Sequence, residues 1–200
     1  MKIEYLLDSV RGIAQQGLTF AESRYDRERY QRLLDISANQ YAEMAKMESV
    51  EVKERFAREL GYVTAKVGVD AAIFNNDGHL LILKRPDSIR WALPGGWVDP
   101  GETAELAIER EVFEEVGLKV TAREVVAVNS RVAGNSGNPH SSIHIMFECV
   151  VEEGNPQSSP EALEIEYVNA RATPKWHEDH GMWVRKCFEW HSKRRGEEND

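Results

Sequence analysis

Four glutamates and one arginine stand at fixed offsets between two glycines in the stretch from Gly96 to Leu118. They are Glu102, Arg110, Glu111, Glu114 and Glu115. On a helix, positions three and four apart share a face, so Glu111 neighbours both Glu114 and Glu115. Like charges so placed repel, at roughly a few tenths of a kcal/mol per pair. A purely structural face would interleave lysines, but Arg110 is the one cation in the run. A divalent cation turns that repulsion into a use, because Mg²⁺ accepts hard carboxylate oxygens and keeps several waters. Glu102 follows the Pro100-Gly101 turn and is placed to pair with Arg110. Gly95-Gly96 permits close backbone approach or positive φ. The bland alternative is a solvated acidic helix. The chemical reading is a metal site that works on a phosphorylated substrate.

The same residues carry a resemblance. The segment is similar to the signature of the Nudix hydrolases: a glycine, five residues, glutamate, seven residues, arginine-glutamate, an aliphatic residue, any residue, two glutamates, any residue, glycine and an aliphatic residue. Gly96, Glu102, Arg110, Glu111, Val112, Glu114, Glu115, Gly117 and Leu118 fill every fixed place. The resemblance implies an α/β/α sandwich with a mixed β-sheet. It implies Mg²⁺, with Mn²⁺ as a substitute, held mainly by Glu111, Glu114 and Glu115. The backbone near Gly96 would supply a further ligand, and Glu102 would orient the box through Arg110. The implied reaction is hydrolysis of a nucleoside diphosphate linked to another moiety. Water attacks one phosphorus, and a nucleoside monophosphate leaves with a phosphorylated partner.

A base or orienting carboxylate varies in position within that family. Glu115 is one candidate here; Glu161, Glu164 and Glu166 are others, and Glu164 in ALEIEYV is the choice that related chains favour. Arg85 follows an apolar strand and can hold a phosphate oxygen. Trp97 and Trp91 flank the glycine turn and can stack on a base or cover the core; Trp91 reads as core. His144 alternates with Met146 and points either inward or toward substrate. His140 lies just before it, and His177, His180 and His191 read as surface or helix-packing residues.

The elements that must position these groups follow from periodicity. Residues 1–60 read as a helical domain. Ile3, Leu6, Leu7, Val10 and Ile13 recur at helix spacing, and Gly17 marks a break. Asp26 reads as the cap of a second helix over Arg27 to Met47. A third covers Glu51 to Leu60, stopped by Gly61. From residue 61 to 192 a second domain alternates strands and helices. VGVDAAIF is a strand, Asn75-Asn76-Asp77-Gly78 a hairpin turn, and HLLILK the return strand. Trp91 to Leu93 is a short strand, and Ala104 to Val116 a helix with Gly117 at its C-cap. Lys119 to Arg131 holds one or two strands, residues 134–139 a flexible loop, Ser142 to Glu152 a strand and Ala162 to Val168 another. A helix covers about His177 to Trp190, and residues 193–200 read as a solvated tail.

An N-terminal helical domain with YDRERYQRLLDISANQYA before such a domain resembles a bacterial subgroup of CDP-choline and ADP-ribose pyrophosphatases. That resemblance implies a homodimer through the N-terminal helices, which also edge the substrate site. Arg27 and Tyr30, with Asp26, are the matched residues to examine. CDP-choline is the substrate the subgroup favours, giving CMP and phosphocholine. ADP-ribose is the alternative, giving AMP and ribose 5-phosphate. A non-catalytic nucleotide-binding module is the rival from another class.

Composition is that of an ordinary globular protein: 200 residues, 42% hydrophobic and 30% charged. A net charge of -9 is the wrong sign for a nucleic-acid binder. Cys149 and Cys187 are the only cysteines, too few for a disulfide scaffold. Cys149 reads as a buried thiol. No apolar run reaches the length of a membrane span. The N-terminus does not read as a signal peptide, so the expected location is cytoplasmic.

Overall fold

In the computed structural model, residues 3–58, 64–99, 101–133 and 140–197 are described. They fall into two compact units. One comprises residues 1–66 and 130–143, the other residues 67–129 and 144–200. The first unit therefore takes in a later segment that the sequence reading left with the second domain.

The first unit is built on three helices, α1 (Ile3–Phe20), α2 (Arg24–Ala45) and α3 (Ser49–Ala57). Leu7, Ala14, Leu34, Ala38, Tyr41, Val52 and Phe56 make its core. Gly17 does not break α1. It lies where a Cβ would come 2.4 Å from the ring of Tyr30, so the glycine lets α2 approach closely. The helix ends three residues later, and Ser23 rather than Asp26 caps α2 by accepting from the Tyr25 N–H. Asp26 sits inside the first turn and pairs with Arg29 at 2.7 Å. The third helix starts at Ser49, ahead of Glu51. The proposed stop at Gly61 lies outside the described residues.

Besides its core face, α1 carries a second apolar stripe. Ile3, Leu6, Ile13 and Phe20 are all exposed, the last two at 59% and 63%. Their spacing of three, seven and seven residues draws one seam along the helix.

Among the described residues, the second unit is built on seven strands and two helices, with β1, β5 and β6 running on into the first unit's segments. The strands are β1 (Lys66–Ala72), β2 (Leu80–Lys84), β3 (Trp91–Ala92), β4 (Gly95–Trp97), β5 (Lys119–Arg131), β6 (Ser142–Glu153) and β7 (Glu164–Val168). The helices are α4 (Ala104–Val116) and α5 (His180–Glu197). One sheet has the order β4-β1-β6-β5 and the other β3-β2-β7. Alternate residues of each strand face opposite layers. Val69, Ala71, Leu81 and Leu83 pack with Ala107, Ile108, Val112 and Val116 of α4. Ala72, Leu80 and Ile82 pack with Trp183, Val184 and Cys187 of α5. Helix, sheets and helix form the expected α/β/α sandwich.

Several boundaries differ from the periodicity. The Asn75–Gly78 turn forms, with Gly78 N–H donating to Asn75 O at 2.9 Å. Its two strands then part into separate sheets, because β1 is drawn between β4 and β6. Residues 119–131 form a single strand. Residues 193–197 continue α5 instead of fraying, and Arg194 closes on Glu148 at 2.9 Å. The loop expected at residues 134–139 lies outside the described residues. Cys149 is buried as expected, and burial pushes its thiol up to about 12. Among the described residues, no helix is long and apolar enough to cross a membrane.

Candidate active site

The glycines of β4 bring backbone and carboxylates together. Gly95 pairs with Asp70 and Gly96 with Val69 across an antiparallel ladder. A Cβ on Gly95 would lie 2.1 Å from the Val69 carbonyl oxygen, so only glycine fits. A Cβ on Gly96 would lie 2.4 Å from the Glu111 carboxylate. The missing side chain is therefore the space in which Glu111 stands.

Helix α4 aims the carboxylates. Thr103 caps it by accepting from the Leu106 N–H at 3.3 Å, and Gly117 closes it in the left-handed region at φ 71°. Ile108, Val112 and Val116 anchor the core side, which leaves Glu111 and Glu114 beside β4. Glu115 is the exception on this face. It is only 4% exposed and accepts from the Gly95 N–H at 2.8 Å. Burial pushes its carboxyl up to about 8, and the neighbouring charges of Glu111 and Glu161 add to the rise. Burial also raises Glu111, against the pull of Arg110.

Arg110 ties the box together. Its Nε and Nη2 donate to the two oxygens of Glu102 at 2.8 and 2.9 Å. Its Nη1 donates to Glu111 at 2.9 Å and Glu114 at 3.0 Å, and its Nη2 also reaches the Trp97 carbonyl at 3.1 Å. The Glu102–Arg110 pair read from the sequence is present as a bidentate fork. Glu102 holds the arginine's charge in place, and the arginine in turn depresses Glu102.

Among the described residues, no three His, Cys, Asp or Glu side chains converge on one point as a metal cage. Arg110 supplies the positive charge instead. The donor set nevertheless fits a hard divalent ion. Glu115 is a buried carboxylate with one backbone donor, and Glu111 fills the cradle over Gly96.

The other expected residues divide. Arg85 donates to Asp87 at 3.1 and 2.9 Å, which raises the guanidinium and brings Asp87 down to about 2. Arg85 also lies within electrostatic reach of Glu115. Glu164 accepts from Lys84 Nζ at 2.7 Å on the β2–β7 ladder, opposite Lys84 in register. Glu161 is the late glutamate whose charge acts on both Glu111 and Glu115. A tight turn sets it, with Ser159 Oγ accepting from the Glu161 and Ala162 N–H groups. Trp97 is exposed at 43%, whereas Trp91 packs against the core. His144 is buried against Asp70. Arg27 and Tyr30 belong to the helical unit, Tyr30 against Gly17 and Arg27 at the rim of a cavity of about 240 Å³. His140 lies in that unit too, 2.7 Å from Arg11. His180 accepts from the Leu93 N–H, His177 meets Ser88, and His191 stacks on Phe74.

Asp70 escaped the sequence reading. Its one signal was a lone acid inside the apolar strand VGVDAAIF.

Comparison with known proteins agrees with this geometry. Residues 64–190 match the NUDIX domain, and residues 3–56 match the UDP-X-like, N-terminal oligomerisation domain. The chain belongs to the Nudix family. It is a pyrophosphohydrolase of the general Nudix type, acting on a nucleoside diphosphate linked to another moiety, in a family that is generally metal-dependent.

Among individual relatives, YjhB of Bacillus subtilis (strain 168), provisionally named an ADP-ribose pyrophosphatase, is 30% identical over 153 residues, 76% of this chain and 73% of that protein. The ADP-ribose pyrophosphatase of Methanocaldococcus jannaschii is 32% identical over 133 residues, 64% of this chain and 76% of that one. The crystal structure of a UDP-X diphosphatase shares the fold along 95% of this chain and 94% of its own, with a TM-score of 0.59 and 22% identity.

Proposed function

We propose that this enzyme hydrolyses ADP-ribose to AMP and ribose 5-phosphate, using Mg²⁺, with Mn²⁺ able to replace it. The observation that supports the reaction class is Arg110 holding Glu111 and Glu114, with Glu111 over Gly96 and Glu115 on the Gly95 N–H. The substrate rests on the two ADP-ribose pyrophosphatase names among the relatives. Neither carries choline in its name, so they favour ADP-ribose over the CDP-choline of the sequence reading.

Glu111, Glu114, Glu115 and the Gly96 backbone would hold the metal. A divalent ion held by these groups would supply acidified water and charge to offset the pyrophosphate oxygens. Arg110 and Glu102 keep Glu111 and Glu114 in place. Glu161, in place of Glu164, orients the attacking water and takes its proton. Arg85, pre-set by Asp87, holds a phosphate oxygen. Trp97 offers the base an aromatic face. Water oxygen bonds to phosphorus, the bridging P–O bond breaks, and two phosphomonoesters leave.

The protein works as a homodimer through its N-terminal helices. The exposed stripe of Ile3, Leu6, Ile13 and Phe20, in a segment matching an oligomerisation domain, supports that assembly. The test is a substrate panel with product identification: ADP-ribose, CDP-choline and 8-oxo-dGTP, each with Mg²⁺. Preferred release of AMP and ribose 5-phosphate from ADP-ribose is expected. Preferred cleavage of either rival compound would overturn the substrate assignment.

A further inference from the structure

Asp70 is 3% exposed in the middle of β1. Its carboxylate lies 2.9 Å from Nδ1 of His144 on β6. In the tautomer with the proton on Nδ1, that nitrogen donates to the carboxylate and Nε2 is left as an acceptor. That Nε2 is closed off from solvent and has no hydrogen-bond partner among the described residues. Buried polar atoms are nearly always paired, so an acceptor kept this way calls for a reason.

Its surroundings supply one. The imidazole occupies the space over Gly68, where a Cβ would come 2.7 Å from Cε1. Trp183 and Trp97 are its ring neighbours, with centroids at 4.9 and 5.6 Å. Trp183 is a buried residue of α5, packed in the core against Ala72, Leu80 and Met146. Trp97 is 43% exposed, and its side chain makes no hydrogen bond among the described residues. Of the two walls it is the one that reaches solvent. The ladder of β1 with β4 pairs Gly68 with Trp97 and Asp70 with Gly95. The histidine pair is thus built onto the three-residue strand that carries Gly96, over which Glu111 stands. A nucleoside places its base one sugar away from its phosphate. With a diphosphate at Gly96 and Glu111, the base would lie toward Trp97, the next residue on the same strand.

We infer that Asp70 and His144 read the base of the substrate: Nε2 accepts an N–H from the exocyclic amino group of adenine or cytosine, while Trp97 gives way and lies on the ring. This rests on the nucleoside-diphosphate reading above. A keto base turns a carbonyl oxygen toward the same lone pair and is disfavoured. The selection is strong because a site built for a donor leaves its acceptor unpaired when the donor is missing.

The test uses matched pairs: ADP-ribose with its inosine counterpart, and a CDP-linked with a UDP-linked form of one sugar. In the wild type, kcat/KM for the amino member should exceed that for the keto member by about tenfold or more in the adenine or the cytosine pair. Whichever pair shows it identifies the base. In His144→Phe that ratio should fall to within about twofold, mainly through the KM of the amino substrate. A keto preference or a ratio near one in the wild type would overturn the inference, as would an unchanged ratio in a folded His144→Phe. A second measurement needs no variant. In ¹⁵N-histidine NMR of the wild type, Nε2 of His144 should be unprotonated and should move upfield with AMP but not with IMP. Protonation of Nε2 in the free enzyme, or equal responses to the two nucleotides, contradicts the inference. Failure to hydrolyse any of the four substrates defeats the proposed reaction, and the AMP–IMP comparison still decides the role of the pair.

Discussion

Gly96 and Glu111 share one space: the carboxylate of Glu111 stands where a side chain on residue 96 would be, 2.4 Å from an ideal Cβ. The Glu111 carboxylate therefore keeps this position only while residue 96 is glycine. Gly96→Ala must push Glu111 off its place between β4 and Arg110. A displacement near 1 Å at a reacting centre costs on the order of 10²-fold in rate. Steady-state kinetics with Mg²⁺ should show a kcat/KM loss of about that size, with the far-UV circular dichroism spectrum retained.

Glu115 links the site to stability. Its carboxyl lies near 8 in the folded protein against an ordinary 4.5, chiefly through burial. The folded state thus holds a proton that the unfolded state releases. By linkage, the metal-free protein is most stable below about 4.5 with respect to this group and loses that contribution as pH rises toward about 8. Melting curves in EDTA should show Tm falling across that window. Glu115→Gln should flatten the fall and, at pH 8, cut turnover by several orders of magnitude. A Tm fall that persists unchanged in the variant would assign the effect elsewhere.

Two late glutamates should behave differently. Glu161 acts electrostatically on Glu111 and Glu115, whereas Glu164 is engaged with Lys84. Glu161→Gln should lower kcat by about 10²–10⁴, the usual worth of a general base. Glu164→Gln removes an exposed ion pair worth about 0–1 kcal/mol and should leave kcat within about threefold. The reverse ranking would return the role to Glu164.

The helical unit has its own test. Ile13 and Phe20 are exposed on one seam of α1. Charging both, as Ile13→Glu with Phe20→Glu, should convert the proposed dimer to monomer in multi-angle light scattering. Their exposure makes the helical fold tolerant of the change. An unaltered mass would place the interface on another face.

How far the sequence foretold the site depended on whether each relationship was local. Glu102, Arg110, Glu111 and Glu114 lie within one helix and its approach, where offsets of three, four and eight residues fix proximity. The Glu102–Arg110 pair is the one expected, and Arg110 also takes up Glu111 and Glu114. Glu115 was expected on the shared carboxylate face, yet it is buried, because its partner is the backbone of Gly95, twenty residues away on a strand. The surroundings of Glu164 likewise depend on a distant strand. Alternation within β7 sets its face, but only the register against β2 puts it opposite Lys84. The same limit hid Asp70, whose meaning depends on His144 arriving from β6. The hairpin turn at Asn75–Gly78 was legible from its residues, and the parting of its strands was not, since that is decided by β4 and β6 competing for β1.

The most direct measurement is the cleavage of ADP-ribose in H₂¹⁸O with Mg²⁺, read by mass spectrometry for the wild type and for Glu114→Gln. The account predicts AMP and ribose 5-phosphate in equal amounts, one of them carrying the heavy oxygen on its phosphate. It also predicts turnover reduced by orders of magnitude in the variant. Intact ADP-ribose with the wild type, or equal turnover by the two proteins, would contradict it.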